Sequence, residues 1–325
     1  MTMRTAVAFA FAAVLSASPL SPAAHAAQVT LAVFGDTPYD DAYPGAETQS
    51  YLDMLAEIDR SDARFVVHIG DIKHGSTPCS DALFEQRRTE FAASGKPFIF
   101  VFGDNEWTDC WRSGSDPRER LDRLRGMFAA GDTSLGRAPI ALTRQSSQAA
   151  YASYRENVRW VIDDILFVGI NVPGSNNNFT RLPEEYRARN AAVLAWLAEA
   201  FAIARAKAFA AVVLFMQADP FLPRSRPNGY TELLDALRNH VTEFAGLVAL
   251  VHGDSHACRV DYPLWDRVNL RYFPNFRRIE TFGSPRVNWL HLTLDTHSGL
   301  PELAVTPGRW SGVCCRREPG AEPCT

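Results

Sequence analysis

At 325 residues with a net charge of −4, the chain is long enough for one large α/β domain or two small ones, and its acids and bases interleave. No basic stripe argues for a nucleic-acid partner, and no acidic tail argues for a solvating segment. A hydrophobic fraction of 46% against 22% charged residues belongs to a globular protein rather than a disordered one.

In chain order, residues 1–26 read as a secretory signal peptide. Arg4 supplies the positive start, Ala6 to Leu15 the apolar run, and Ala24-His25-Ala26 the small-residue cleavage pattern. That run is too short to span a bilayer, and no later stretch is long and apolar enough to do so. The expectation is an exported protein, periplasmic or secreted, with one domain over residues 27–325. Val29 to Phe34, Phe65 to Ile69, Phe98 to Phe102, Val212 to Met216 and Leu247 to Val251 are apolar, β-branched runs that predict buried strands. Helical spacing appears over Thr48 to Ile58, Asp81 to Ala92 and Glu184 to Lys207. In the last of these Leu194, Leu197, Phe201 and Ala204 mark one face, and Pro183 sits at its start, where a missing N–H costs little. Val158 to Ile162 and Ile165 to Ile170 flank Asp163-Asp164 as a tight hairpin, and Asn288 to Leu294 alternates like a half-buried strand. Crossovers and hairpins together predict an α/β fold with two mixed sheets flanked by helices. The tail beyond Pro307 is expected on the surface.

Export gives the six cysteines a disulfide reading. Cys79 and Cys110 each follow a Gly-Asp turn, which makes a bridge between those loops the best single pairing. Of Cys314 and Cys315, one is placed to reach Cys258, with Cys324 and free thiols as alternatives.

The chemistry is concentrated in turns that follow the strands: Gly35-Asp36, Gly70-Asp71, Gly103-Asp104-Asn105-Glu106 and Gly253-Asp254-Ser255-His256. Each aims a carboxylate at the end of a strand, where ligands bind in α/β proteins. Hydrolysis of an anionic phosphoester benefits from paired cations that neutralise it and lower the pKa of water, and such ions need several carboxylates and imidazoles from different strands.

In order and spacing these turns resemble the calcineurin-like metallophosphoesterase superfamily over nearly the whole chain after the signal. Gly103-Asp104-Asn105-Glu106-Trp107 followed by Thr108-Asp109-Cys110 resembles a divergent exported branch of it. The resemblance implies a four-layer αββα sandwich and, as cofactors, two divalent metal ions drawn from Mn, Mg, Fe, Zn and Ca. Asp36, Asp71 and His256 stand where the family has ligands, and Gly103 and Glu106 match its third motif. Pro38 replaces a histidine of the first motif, Asp104 stands at an Asn position, and Asn105 takes the place of the histidine that contacts substrate. Gln217 falls where a fourth-motif histidine is expected, and Asp254 replaces the first histidine of the last motif. The implied ligand set is Asp36, Asp71, Asp104, Gln217, Asp254 and His256. Its second half is all oxygen, which suits hard cations better than zinc.

Asn105, His74 and His256 are the candidate catalytic residues, with His74 the better replacement for the missing acid because imidazole titrates near neutrality. His252 ends a strand and reads as structural, and His68 as core. Gln217 is either a ligand or a hydrogen-bonding turn residue. Asn171, Ser175 and Asn176, with Asn105, are candidate substrate contacts; the alternative is an Asn-rich loop that satisfies its own backbone. Trp107 and Trp111 either stack on a ligand or pack beside a disulfide. These residues support an exported metal-dependent phosphoesterase acting on a small-molecule phosphomonoester or diester. The alternative is a catalytically degenerate binding protein on the same scaffold. A Ca²⁺-stabilised structural module ranks last, because the carboxylates do not fall in one Ca²⁺-binding loop.

Overall fold

The computed structural model describes residues 28–40, 47–223, 227–297, 301–309 and, in backbone, 316–317. The signal-peptide expectation for residues 1–26 and most of the tail lie outside them. The strands are β1 (Gln28–Phe34), β2 (Val66–His68), β3 (Phe98–Phe100), β4 (Thr143–Arg144), β5 (Val158–Ile162), β6 (Ile165–Gly169), β7 (Ala211–Phe215), β8 (Leu247–His252), β9 (Arg259–Asp261), β10 (Trp265–Asp266), β11 (Arg271–Tyr272), β12 (Phe276–Glu280), β13 (Leu290–Asp295), β14 (Glu302–Pro307) and β15 (Arg316–Arg317). The α-helices are α1 (Thr48–Arg60), α2 (Asp81–Ala93), α3 (Pro117–Phe128), α4 (Pro183–Ala206) and α5 (Thr231–Glu243).

One sheet runs β14-β13-β1-β2-β3 and the other β15-β9-β12-β8-β7-β6-β5-β4, while β10 and β11 form a separate pair. β1, β2 and β3 are mutually parallel, as are β6, β7, β8 and β12. Period-two alternation splits each strand between two cores. Val29, Leu31 and Val33 join Val213, Phe215, Ala249 and Val251 between the sheets. Ala32 and Phe34 turn outward to the side chains of α1, α2 and α3. Val212, Leu214, Val248 and Leu250 turn outward to α4 and α5. Full burial of such a side chain contributes about 1.5–3 kcal/mol, so a register slip in either sheet would expose a whole row. The result is the expected α/β sandwich of two mixed sheets flanked by helices.

The strand expectations hold to within two residues at most ends. α3 and α5 were not expected from the sequence. α3 is capped by the Asp116 carboxylate accepting the Arg118 N–H, with Pro117 in its first turn. His68 is fully buried between Phe34, Phe91 and Phe100, and burial pushes its pKa down to about 3, so it is a neutral core residue. Cys79 and Cys110 are bonded, with Cα atoms 5.7 Å apart. The bridge ties the loop after β2 to the loop after β3 and closes a span of 31 residues, a constraint worth roughly 3–4 kcal/mol. Cys258 is also disulfide-bonded, and the cysteines left to pair with it lie outside the described residues.

Candidate metal centre

Parallel strands of both sheets end at one edge, and the acidic turns meet there. Asp36 follows β1, Asp71 follows β2, Asp104 follows β3, and Asp254 and His256 follow β8. Asp36, Asp71, Asp254 and His256 all have φ between 53° and 75°, a region that side-chain-bearing residues seldom adopt. Such strain concentrates at functional sites. The glycines have a clear purpose at two positions: a Cβ on Gly103 would collide with the Asp71 carboxylate, and one on Gly253 with that of Asp36. The Gly-Asp pattern thus lets one carboxylate lie directly against the backbone of the next turn.

The carboxylates are held by protein donors. The Asp254 N–H donates to Asp36 Oδ1 at 3.1 Å. Asp71 accepts from the Asn105 N–H at 3.0 Å, the Tyr39 hydroxyl at 3.2 Å and Gln217 Nε2 at 3.1 Å. Glu106 is turned away from this face. It accepts the N–H groups of Gly103 and Asp71 and so clamps the two turns together. Buried Glu47, which the sequence reading passed over, does the same for the first turn by accepting from the Tyr39 N–H and the Ser284 hydroxyl.

Negative charge is in excess. Burial raises the pKa of Asp36, Asp71 and Asp104, and repulsion from neighbouring carboxylates adds to it; Asp254 is the leading one for Asp36 and Asp104, and Asp104 for Asp71. Asp104 reaches about 8. The Ser175 hydroxyl lies 2.8 Å from Asp104 Oδ2 and 2.9 Å from Asp109 Oδ1. One hydroxyl hydrogen cannot serve both, which agrees with a proton resident on Asp104 near neutrality. Burial and the same carboxylates keep Tyr39 a phenol, and thus a donor.

His256 has the tautomer a ligand needs. Its Nδ1–H donates to the Ser284 carbonyl at 2.8 Å, which turns the Nε2 lone pair toward Asp36 Oδ1, 3.6 Å away. The Tyr39 ring lies edge-on between the rings of His74 and His256, with centroids 5.6 Å from each. Tyr39, Asp71, His74, Asp104, Asn105, Asp254 and His256 face one cavity of about 320 Å³, together with Arg112.

Two expectations for this edge take a different form. Gln217 is fully buried, and its Oε1 accepts the Gly174 N–H at 2.6 Å. That donor fixes the amide, so Nε2 faces Asp71 and, at 3.3 Å, Asp254. Gln217 therefore bridges carboxylates as a donor and does not turn its oxygen to the cavity. Asn171 is 1% exposed, donates to Glu156 Oε1 and receives Arg189 on its carbonyl, and Asn176 accepts the Gly229 N–H. Neither lines the cavity. Ser175 to Asn178 form a left-handed turn with φ of 49° to 59°, clamped by buried Arg189. Asparagine tolerates that region best of the non-glycine residues. The segment thus reaches the site through Ser175 and Gly174, with its amides spent internally. Trp107 is fully buried under Arg189, whereas Trp111 is half-exposed and covered by Arg181.

No protein-family model and no curated protein sequence matches the chain. Solved structures do. A dimetal phosphatase from Danio rerio aligns at 14% identity over 85% of this chain and 98% of its own, with a TM-score of 0.51. PhoD aligns at 12% identity over 87% of this chain and 69% of its own, at 0.52. A purple acid phosphatase from yellow lupin (Lupinus luteus) seeds aligns at 13% identity over 88% of this chain and 52% of its own, at 0.53. The chain shares the fold of these phosphatases, two mixed sheets flanked by helices. Tyr39, Arg112 and Ser284 went unnoticed in the sequence. Tyr39 adjoins Pro38, the replaced histidine, which was the one available signal.

Proposed function

We propose that this protein is an exported, metal-dependent phosphoesterase acting on a small-molecule phosphomonoester or diester. The observation that carries the reading is the excess of buried carboxylate at Asp36, Asp71 and Asp104, beside half-buried Asp254 and the Nε2 lone pair of His256, on a phosphatase fold. Divalent cations would relieve that repulsion, and Asp36, Asp71, Asp104, Asp254 and His256 are the residues that would hold them. Bound there, the ions would neutralise the phosphoester and make water a stronger nucleophile.

The chain's own groups fill the remaining roles. Arg112 lines the cavity and pairs with Asp109 at 2.8 Å, and its guanidinium would bind the outer oxygens of a phosphoester there. The Ser76 N–H donates to His74 Nδ1 at 3.3 Å, so the neutral ring carries its proton on Nε2 and is set to donate to a leaving oxygen. Asn105 lines the same cavity but gives its amide hydrogens to Tyr39 Oη and the Lys73 carbonyl, both at 3.0 Å, and so orients Tyr39 toward Asp71.

A second reading, a binding protein without turnover, draws on one feature. A Cβ on Gly174 would meet Asp104 Oδ2 and Asp254 Oδ1, each at 2.7 Å, so backbone already lies against those two carboxylates. Hydrolysis of an aryl phosphate with Mn²⁺, in wild type and Asp71→Asn, separates the two. Loss of turnover in the variant supports the enzyme. Equal rates, or tight phosphoester binding with no product, would move the assignment to the binding protein.

A further inference from the structure

Behind the Asp254 turn lies another group of ionisable side chains. His252 ends β8 and Glu280 ends β12, and the two are direct partners across that parallel pair. By alternation with Val248 and Leu250 both stand on the helix-covered face of the sheet. Asp219, four residues beyond β7, joins them. One donor atom from each of the three lies within 4.8 Å of the other two, and all three residues are fully buried.

The imidazole is oriented. His252 Nδ1 is 3.0 Å from the Gly253 carbonyl, so the N–H is on that side and Nε2 of the neutral ring carries a lone pair. Nε2 has no hydrogen-bond partner, and neither has Glu280 Oε2. The neighbouring guanidinium groups stand off. Arg259 Nε is 3.7 Å from Glu280 Oε2, and Arg278 is 3.7 Å from Asp219 Oδ1 while donating to Asp261. A buried imidazole nitrogen without a hydrogen-bond partner, grouped with two buried carboxylates, costs free energy that a shared cation would relieve. Ligand bonds of about 2.0–2.2 Å place the donors of one ion roughly 3–4 Å apart, and the three donor atoms here lie within 4.8 Å of one another.

We propose that Asp219, His252 and Glu280 form a structural site for a divalent transition metal, with zinc preferred. The imidazole selects against Ca²⁺ and Mg²⁺, which favour all-oxygen sets. The ion would brace the turn that carries Asp254 and His256. The Asp219 N–H donates to Asp254 Oδ2 at 3.2 Å, and Glu280 Oε1 accepts the Ala257 N–H at 3.0 Å and the Ser255 hydroxyl. Asp219 through its backbone N–H and Glu280 through its carboxylate therefore hold the Gly253–Ala257 turn. This assignment stands whether or not the open cluster hydrolyses phosphoesters.

Full-length protein, stripped with a chelator, reloaded with Zn²⁺ and desalted, tests it by elemental analysis. The expected result is a zinc equivalent per chain that Asp71→Asn retains and His252→Gln loses. Zinc content in His252→Gln equal to that of wild type overturns the proposal. Crystals of zinc-loaded wild type, measured at the zinc absorption edge, give a readout independent of how the variant folds. An anomalous peak bonded to His252 Nε2 supports the site, and no peak there overturns it.

Discussion

Asp254 opens onto a cavity of about 320 Å³, whereas Asp219, whose amide holds it, is sealed with His252 and Glu280 under the helices. The two clusters are built from carboxylates and an imidazole and share only the end of β8, one in turns beyond the strands and the other largely within them. In the open cluster the carboxylates ride on turns just beyond their strands, and those of Asp71, Asp104 and Asp254 line the cavity, where a phosphoester could reach them. In the sealed cluster His252 and Glu280 are still within β8 and β12, on the face covered by α4 and α5. Substrate chemistry requires the first arrangement, and the second can act only by bracing it.

Asp71→Asn gives the largest effect that breaks this symmetry. Asp71 accepts from three donors at the centre of the open cluster, and an amide there neither attracts a cation nor accepts from all three. Metal-dependent turnover of an aryl phosphate should fall by more than the roughly 10–100-fold typical of outer-shell changes. A smaller loss would place the ion binding elsewhere. His74→Gln should follow, with about a hundredfold lower kcat at little change in KM, as for loss of a proton donor. An unchanged kcat removes His74 from the reaction.

Gly174→Ala probes the same cluster sterically. Its Cβ would come within 2.7 Å of Asp104 and Asp254 together, and overpacking costs about 1–3 kcal/mol. Gly126→Ala is the control. That residue lies on the exposed side of α3 with nothing within 4 Å, so alanine should stabilise by up to about 1 kcal/mol. Denaturant titration reads both, and equal effects at the two sites would mean that Gly174 is not wedged between the carboxylates.

How much of this was visible in the sequence follows from the range of the interactions. The Gly-Asp turns were legible because a buried parallel strand ends abruptly and its glycine is locally necessary, as at Gly103 and Gly253. The positions of Asp36, Asp71, Asp104, Asp254 and His256 at one edge could therefore be anticipated. The orientation of Gln217 could not, because it depends on Gly174, 43 residues away. Asn171 and Asn176 looked like free amides, yet Glu156 and Gly229 occupy them from 15 and 53 residues away. Glu280 lay in no motif at all. Its importance comes from register with His252, which only the β8–β12 pairing reveals.

The smallest expected effect is a trend with pH, and its sign discriminates. Asp36, Asp71 and Asp104 have folded-state pKa values above those of an unfolded chain, with Asp104 at about 8. Between about pH 4, where unfolded aspartates titrate, and about pH 8, the folded chain holds more protons than the unfolded one. Stability of the chelator-stripped protein should therefore decline as pH rises through that window, by a few degrees in melting temperature. Saturating Mn²⁺ should flatten the decline, because a cation replaces the protons that relieve the repulsion. Asp104→Asn should flatten it without metal, since the group that titrates highest is gone. If the stripped protein instead gains stability from pH 5 to 8, the open cluster is compensated by the protein itself and has no need of a cation.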